Sequence, residues 1–257
     1  QAFGAQDFDT TTAMLVRAVG ISAVLGILVL ILQYPLGELS LWMMNGSQMV
    51  SDYFYARIWA VPAGIMLFGL NGWFTGMQNA VIPMWTSIFI NILHVLLSLW
   101  FVFGFDMGIV GIAYASVVAQ WSGMLLSILL LVLFFRKTLH RVDIAKVLDM
   151  SALKEFFRVN GDIIIRTFCI VMVYTFFTAA SARMGSDIVL AVNTMLLQLF
   201  TLFSYMNDGF AYAAEALTGR FVGAKDELSL RRCIKRCVVW ALGTAVVCIL
   251  IYLFWWQ

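Results

Sequence analysis

Two carboxylates stand in a long apolar stretch toward the end of the chain, Asp208 and Glu215. Seven residues is close to two helical turns, so a helix places both on one face. Glu215 lies in Ala211-Tyr212-Ala213-Ala214-Glu215-Ala216-Leu217, among small residues suited to close helix packing. A charge inside hydrocarbon costs about 2.5–3.5 kcal/mol on insertion scales, which makes an ionisable group there a candidate for function. A carboxylate in an apolar cavity holds a proton more tightly than in water and can exchange it for a cationic compound. The structural alternative is a pair between Glu215 and Arg220 or Arg166. Asn91 and His94, one turn apart in an earlier apolar run, and Asn193 in a later one are polar groups that either bridge helices or line a cavity. His94 adds an imidazole able to follow proton load. Asp162 and Arg166, also one turn apart, are expected to form a structural ion pair, and Arg57 to act as an anchor at the membrane interface or pore mouth. Met172, Met195 and Met206 are expected to line a cavity.

The elements that carry these residues follow from composition. Hydrophobic residues make up 63% of the 257 residues and charged residues 12%, with a mean hydropathy of +0.94. Soluble domains carry roughly 25% charged residues. This balance implies a polytopic membrane protein. Spanning a bilayer takes about 20 apolar residues, and seven runs qualify: 13–34, 54–77, 82–104, 108–135, 159–182, 188–215 and 237–257. Runs of this length satisfy their backbone only as helices. The expected fold is therefore all-α, a membrane helix bundle of seven spans. Tyr34-Pro35-Leu36-Gly37, Gln78-Asn79, Gly104-Phe105-Asp106 and Gly185-Ser186-Asp187 are expected to be breaks.

Charge sets organisation. Residues 136–158 are mixed in charge with near-helical apolar spacing, which predicts an amphipathic linker on the membrane surface. It separates residues 1–135, with four spans, from residues 159–257, with three. Basic residues gather in this linker and between Arg220 and Arg236, so both segments are expected to face the cytoplasm, as is the amino terminus. The four cysteines, Cys169, Cys233, Cys237 and Cys248, form no C-x-x-C pair and are expected to be packing residues. The sequence has no phosphate loop, metal cluster, nucleophile elbow or nucleic-acid surface, so an enzyme reading has nothing to stand on. No cofactor is expected.

One signal occurs twice. Gln1-x-x-Gly4-Ala5-x-Asp7 returns as Arg220-x-x-Gly223-Ala224-x-Asp226, and an apolar span follows each copy. Glycine is expected to supply the left-handed residue that ends one helix and aspartate the cap of the next. The abrupt start and end predict a piece of a longer chain.

These corners, with Tyr55-x-x-Ile58-x-x-x-Pro62, Asn91-Ile92-Leu93-His94, Met107-Gly108-Ile109-Val110-Gly111-Ile112-Ala113 and Ala191-Val192-Asn193, resemble the multidrug and toxic-compound extrusion (MATE) family. Asn160-Gly161-Asp162-Ile163-x-x-Arg166 and Asp208-Gly209-Phe210-Ala211-Tyr212-Ala213-x-Glu215 resemble its DinF branch most. The resemblance implies two six-helix lobes related by a pseudo-two-fold axis, of which this chain holds the third to ninth helices. It implies alternating access and exchange of a coupling ion, a proton in preference to sodium, for an organic and often cationic compound. Members commonly carry an asparagine-leucine-aspartate pattern where His94 stands here. The implied setting is a bacterial inner membrane, with membrane lipid and small molecules as partners, no nucleic acid, and a monomer expected. A lipid-linked saccharide flippase of the same broad superfamily and a seven-helix receptor are the alternatives.

Overall fold

The protein is described from a computed structural model covering residues 1–44, 48–139, 147, 149–184 and 187–255. It divides into two units, Gln1–Val147 and Leu148–Gln257. The first unit contains α1 (Phe8–Ile31), α2 (Gln33–Met44), α3 (Gln48–Arg57), α4 (Val61–Gly76), α5 (Val81–Leu99) and α6 (Gly108–Phe135). A 3₁₀ turn, Ile58–Ala60, joins α3 to α4, and a π-helical turn, Trp100–Gly104, extends α5. The second unit contains α7 (Met150–Arg183), α8 (Asp187–Gly223) and α9 (Glu227–Trp255).

Among the described residues, six helices are long and apolar enough to cross a membrane: Phe8–Ile31, Gln48–Gly76, Val81–Gly104, Gly108–Phe135, Phe156–Ser181 and Glu227–Phe254. The seventh expected span, 188–215, lies in α8. That helix has 37 residues, ample length for a crossing, but Asn193, Gln198, Asn207, Asp208 and Glu215 dilute its apolar character. The protein is an all-helical, multi-pass membrane bundle.

Three local expectations change. The first span begins at Phe8 rather than residue 13, because the threonines after Asp7 turn inward on their own helix. Thr11 and Thr12 hydroxyls donate to the Asp7 and Phe8 carbonyls at 2.8 Å, satisfying polar groups without water. Tyr34-Pro35-Leu36-Gly37 is not a loop but part of α2. Proline is tolerated in a first helical turn, where its missing N–H has no helical partner to lose. Between Met150 and Arg158 the expected linker runs without a break into α7, while residues 140–146 and 148 lie outside the described residues.

The two corners have the same backbone, with one correction to the expected role of glycine. The left-handed residues are Gln6 and Lys225, with φ of 57° and 56°. Gly223 instead ends α8, two residues earlier. Asp7 N–H donates to the Ala2 carbonyl at 2.9 Å and Gln6 N–H to Phe3 at 3.1 Å; Asp226 donates to Phe221 at 3.0 Å and Lys225 to Val222 at 3.1 Å. These are the paired six-to-one and five-to-two bonds of a Schellman end. Each aspartate then caps the next helix, Asp7 accepting from Thr10 N–H and Asp226 from Ser229 N–H, both at 3.0 Å. Backbone bonds to Ser229 hold the Asp226 carboxyl below its ordinary value, with further help from the Ser229 hydroxyl.

Packing in the first unit depends on small residues. The buried face of α6 is Gly111, Ala113, Ala115, Ser116, Ala119, Gly123 and Ser127. Such a face lets helices approach closely where lipid provides no hydrophobic drive for association. A Cβ added at Gly123 would lie 2.2 Å from Ile90 Cγ1 on α5, and one at Gly26 would lie 2.8 Å from Pro62 Cα on α4. Ser127 donates to Thr86 at 3.4 Å between two fully buried hydroxyls. Trp73 Nε1 donates to the Thr11 carbonyl at 3.0 Å, tying α4 to the start of α1. Leu15, Leu70, Trp73, Phe74, Met77, Ile82 and Leu131 fill the core beneath.

Candidate functional site

Three helices of the first unit bring polar side chains to one point. Arg57 closes α3, His94 lies on α5 and Ser116 on the buried face of α6. The Arg57 guanidinium donates to the Ser116 hydroxyl. His94 Nε2 lies 2.9 Å from the same oxygen, and Ser116 can also donate to the Ile112 carbonyl at 3.0 Å. A serine hydroxyl has one proton and two acceptor sites. With the Arg57 bond occupying one acceptor, the Ser116 proton goes either to Ile112 or to His94. If it goes to Ile112, His94 donates from Nε2 and the oxygen is fully used.

One turn beyond His94, Ser98 Oγ is buried without a hydrogen-bond partner among the described residues. The π-helical turn begins two residues later, at Trp100. Single turns of this kind recur at functional positions because they break the α-helical hydrogen-bond register.

His94 thus bridges α5 and α6. Asn91 does not: its amide donates to the Ser87 carbonyl of its own helix at 2.8 Å. Arg57 reaches across to α6 instead of serving only as an anchor at the span's end. Ser116 was absent from the sequence reading. Flanked by Ala113, Ala115 and Ala119, it has the signature of one more small packing residue.

In the second unit, Asn193 donates to Ser181 Oγ at 2.8 Å, joining α8 to α7. Ser181 is buried and donates in turn to the Phe177 carbonyl at 2.8 Å. Asp208 and Glu215 are exposed on α8, roughly 10 Å apart along the helix axis. Neither carboxylate has an ion-pair partner among the described residues, so the alternative pairing of Glu215 with Arg220 or Arg166 is not formed there. The Asp162 side chain lies outside the described residues, and with it the expected pair to Arg166. Met172, Met195 and Met206 are exposed. Among the described residues, no group of three His, Cys, Asp or Glu side chains is placed to hold a metal ion.

Comparison with known proteins places this arrangement in a family. The sequence matches the MatE family over residues 1–100 and 163–257. It is 33% identical over 234 residues to DNA damage-inducible protein F of Escherichia coli K12, covering 88% of this chain and 50% of that protein. It is 26% identical over 175 residues to Protein DETOXIFICATION 43 of Arabidopsis thaliana, covering 68% and 32%. The chain therefore spans half the length of the first of these relatives or less. An outward-facing multidrug resistance MATE family transporter of the MOP superfamily superposes with a TM-score of 0.80 at 17% identity, over 97% of this chain and 60% of the other. That likeness is one of fold. With both units matched and a capped corner repeated bond for bond, the chain belongs to the MatE family.

Proposed function

We propose that the whole protein is a secondary active exporter of organic compounds, many of them cationic, working by antiport against protons through alternating access. Family membership supports transport as the activity. The observation that carries proton coupling is the pair Asp208 and Glu215, two turns apart on one helix and free of ion-pair partners among the described residues. Carboxylates in this state can hold a proton or a cation but gain little from holding both. Exchange of one for the other is the elementary step of an antiporter. No metal or cofactor enters this scheme. His94 and Asn193 contribute by bridging helices beside the path, and Asn91 by offering its amide oxygen to it. The setting is a bacterial inner membrane, with the Gly4–Asp7 and Gly223–Asp226 corners on the cytoplasmic side.

The test is transport by full-length protein in sealed vesicles. An imposed proton gradient is expected to drive exchange of a cationic dye, with a matching pH change inside the vesicles. Dye movement driven by a sodium gradient and indifferent to pH would overturn proton coupling. No gradient-driven movement of any organic compound would overturn the exporter reading itself.

A further inference from the structure

We infer that Arg57, Ser116 and His94 form a binding site for the carboxylate of an organic ligand. The inference rests on the exporter reading and narrows its substrates to compounds carrying a carboxylate, with or without a cationic group.

Depth is the first argument. Arg57 is the tenth residue of the span Gln48–Gly76, roughly 14 Å from its first residue by helical rise. Ser116 is the ninth residue of α6, roughly 12 Å from its start. A guanidinium carried this far into an apolar element is retained where it meets an opposite charge or lines a substrate path. Arg57 does not fold back along its own helix toward water. It crosses to α6.

The second argument is what Arg57 lacks. Among the described residues, it touches the Ser116 hydroxyl and lies over the Tyr53 ring at 5.9 Å, and no carboxylate pairs with it. A guanidinium has five N–H donors in a planar fork. One is used on Ser116, the side chain is exposed, and the remaining donors are free to grip a planar oxyanion in bidentate fashion.

The third argument is the shared hydroxyl. When Ser116 gives its proton to Ile112, its oxygen accepts from both Arg57 and His94, and no acceptor remains in the centre to compete with a ligand. Three side chains then present donors only. A cation has nothing to bind there. One fixed positive charge matches one carboxylate, whereas a phosphate dianion would remain under-neutralised.

The probe is benzoate, with benzyl alcohol as the uncharged control, in equilibrium dialysis against full-length protein purified in detergent. Saturable benzoate binding is expected, with none for benzyl alcohol. Arg57→Gln should weaken benzoate at least tenfold, the scale of a lost charge-assisted hydrogen bond. Arg57→Lys should fall between, keeping the charge and losing the fork. His94→Gln, on a different helix, should weaken binding several-fold and serves if Arg57→Gln does not fold. Absence of saturable benzoate binding overturns the inference, as does equal affinity for benzyl alcohol. So does unchanged benzoate affinity in a folded Arg57→Gln or His94→Gln protein. Benzoate binding that follows this pattern in a protein that moves nothing across vesicles would leave the site standing and sink the exporter reading.

Discussion

Lys225 holds the same left-handed backbone as Gln6, φ 56° against 57°, at equivalent places in two corners 219 residues apart. Neither is glycine, although a glycine stands two residues earlier in each. A left-handed residue with a side chain costs about 1–2 kcal/mol relative to its right-handed form. Lys225→Gly should therefore be neutral to stabilising, by up to about 1 kcal/mol. Lys225→Val, which adds a branch at Cβ, should destabilise. Thermal melts in detergent check both, and a stabilising valine would contradict the assigned backbone.

The aspartate caps predict a pH effect at the second corner. Hydrogen bonds from Ser229 favour the ionised Asp226 carboxyl and hold its value below the ordinary one. A carboxyl depressed on folding adds stability above its unfolded value, near pH 4, and loses it as pH falls through the lower folded value. Asp226→Asn, which can still cap but does not titrate, should flatten the acid limb of a melting-temperature-against-pH curve below pH 4. An unchanged limb would show that the cap is not formed in solution. In the first corner, Asp7→Ala should cost about 1 kcal/mol at neutral pH.

Gly123 faces Ile90 so closely that any Cβ forces α5 away from α6. Gly123→Ala should destabilise by about 1–3 kcal/mol, the usual penalty of overpacking. Ile90→Ala in the same protein should recover part of that loss, because it removes the atoms that clash. A double-mutant cycle on melting temperature measures the coupling. Strict additivity would place the two helices farther apart than described here.

Much of this was legible in the sequence because it is local. The corners are written in four consecutive residues, and the spans in apolar runs whose length only a helix can satisfy. Span ends were harder. Thr11 and Thr12 read as loop residues until their hydroxyls are seen bonding back along α1. Pro35 reads as a break although it sits in the first turn of α2. The centre around Ser116 was not legible, because Arg57 and Ser116 are 59 residues apart and meet only once α3 lies against α6. Nothing in a serine among alanines announces that it will receive a guanidinium.

The central claim is that Asp208 and Glu215 exchange protons for substrate, and coupled flux in proteoliposomes tests it most directly. Full-length protein carrying both Asp208→Asn and Glu215→Gln removes the two charges while keeping shape and hydrogen-bonding capacity. Proton-driven exchange of a cationic dye should fall at least tenfold, with the protein still inserted and folded. Coupled flux equal to that of the unmodified protein would contradict the account.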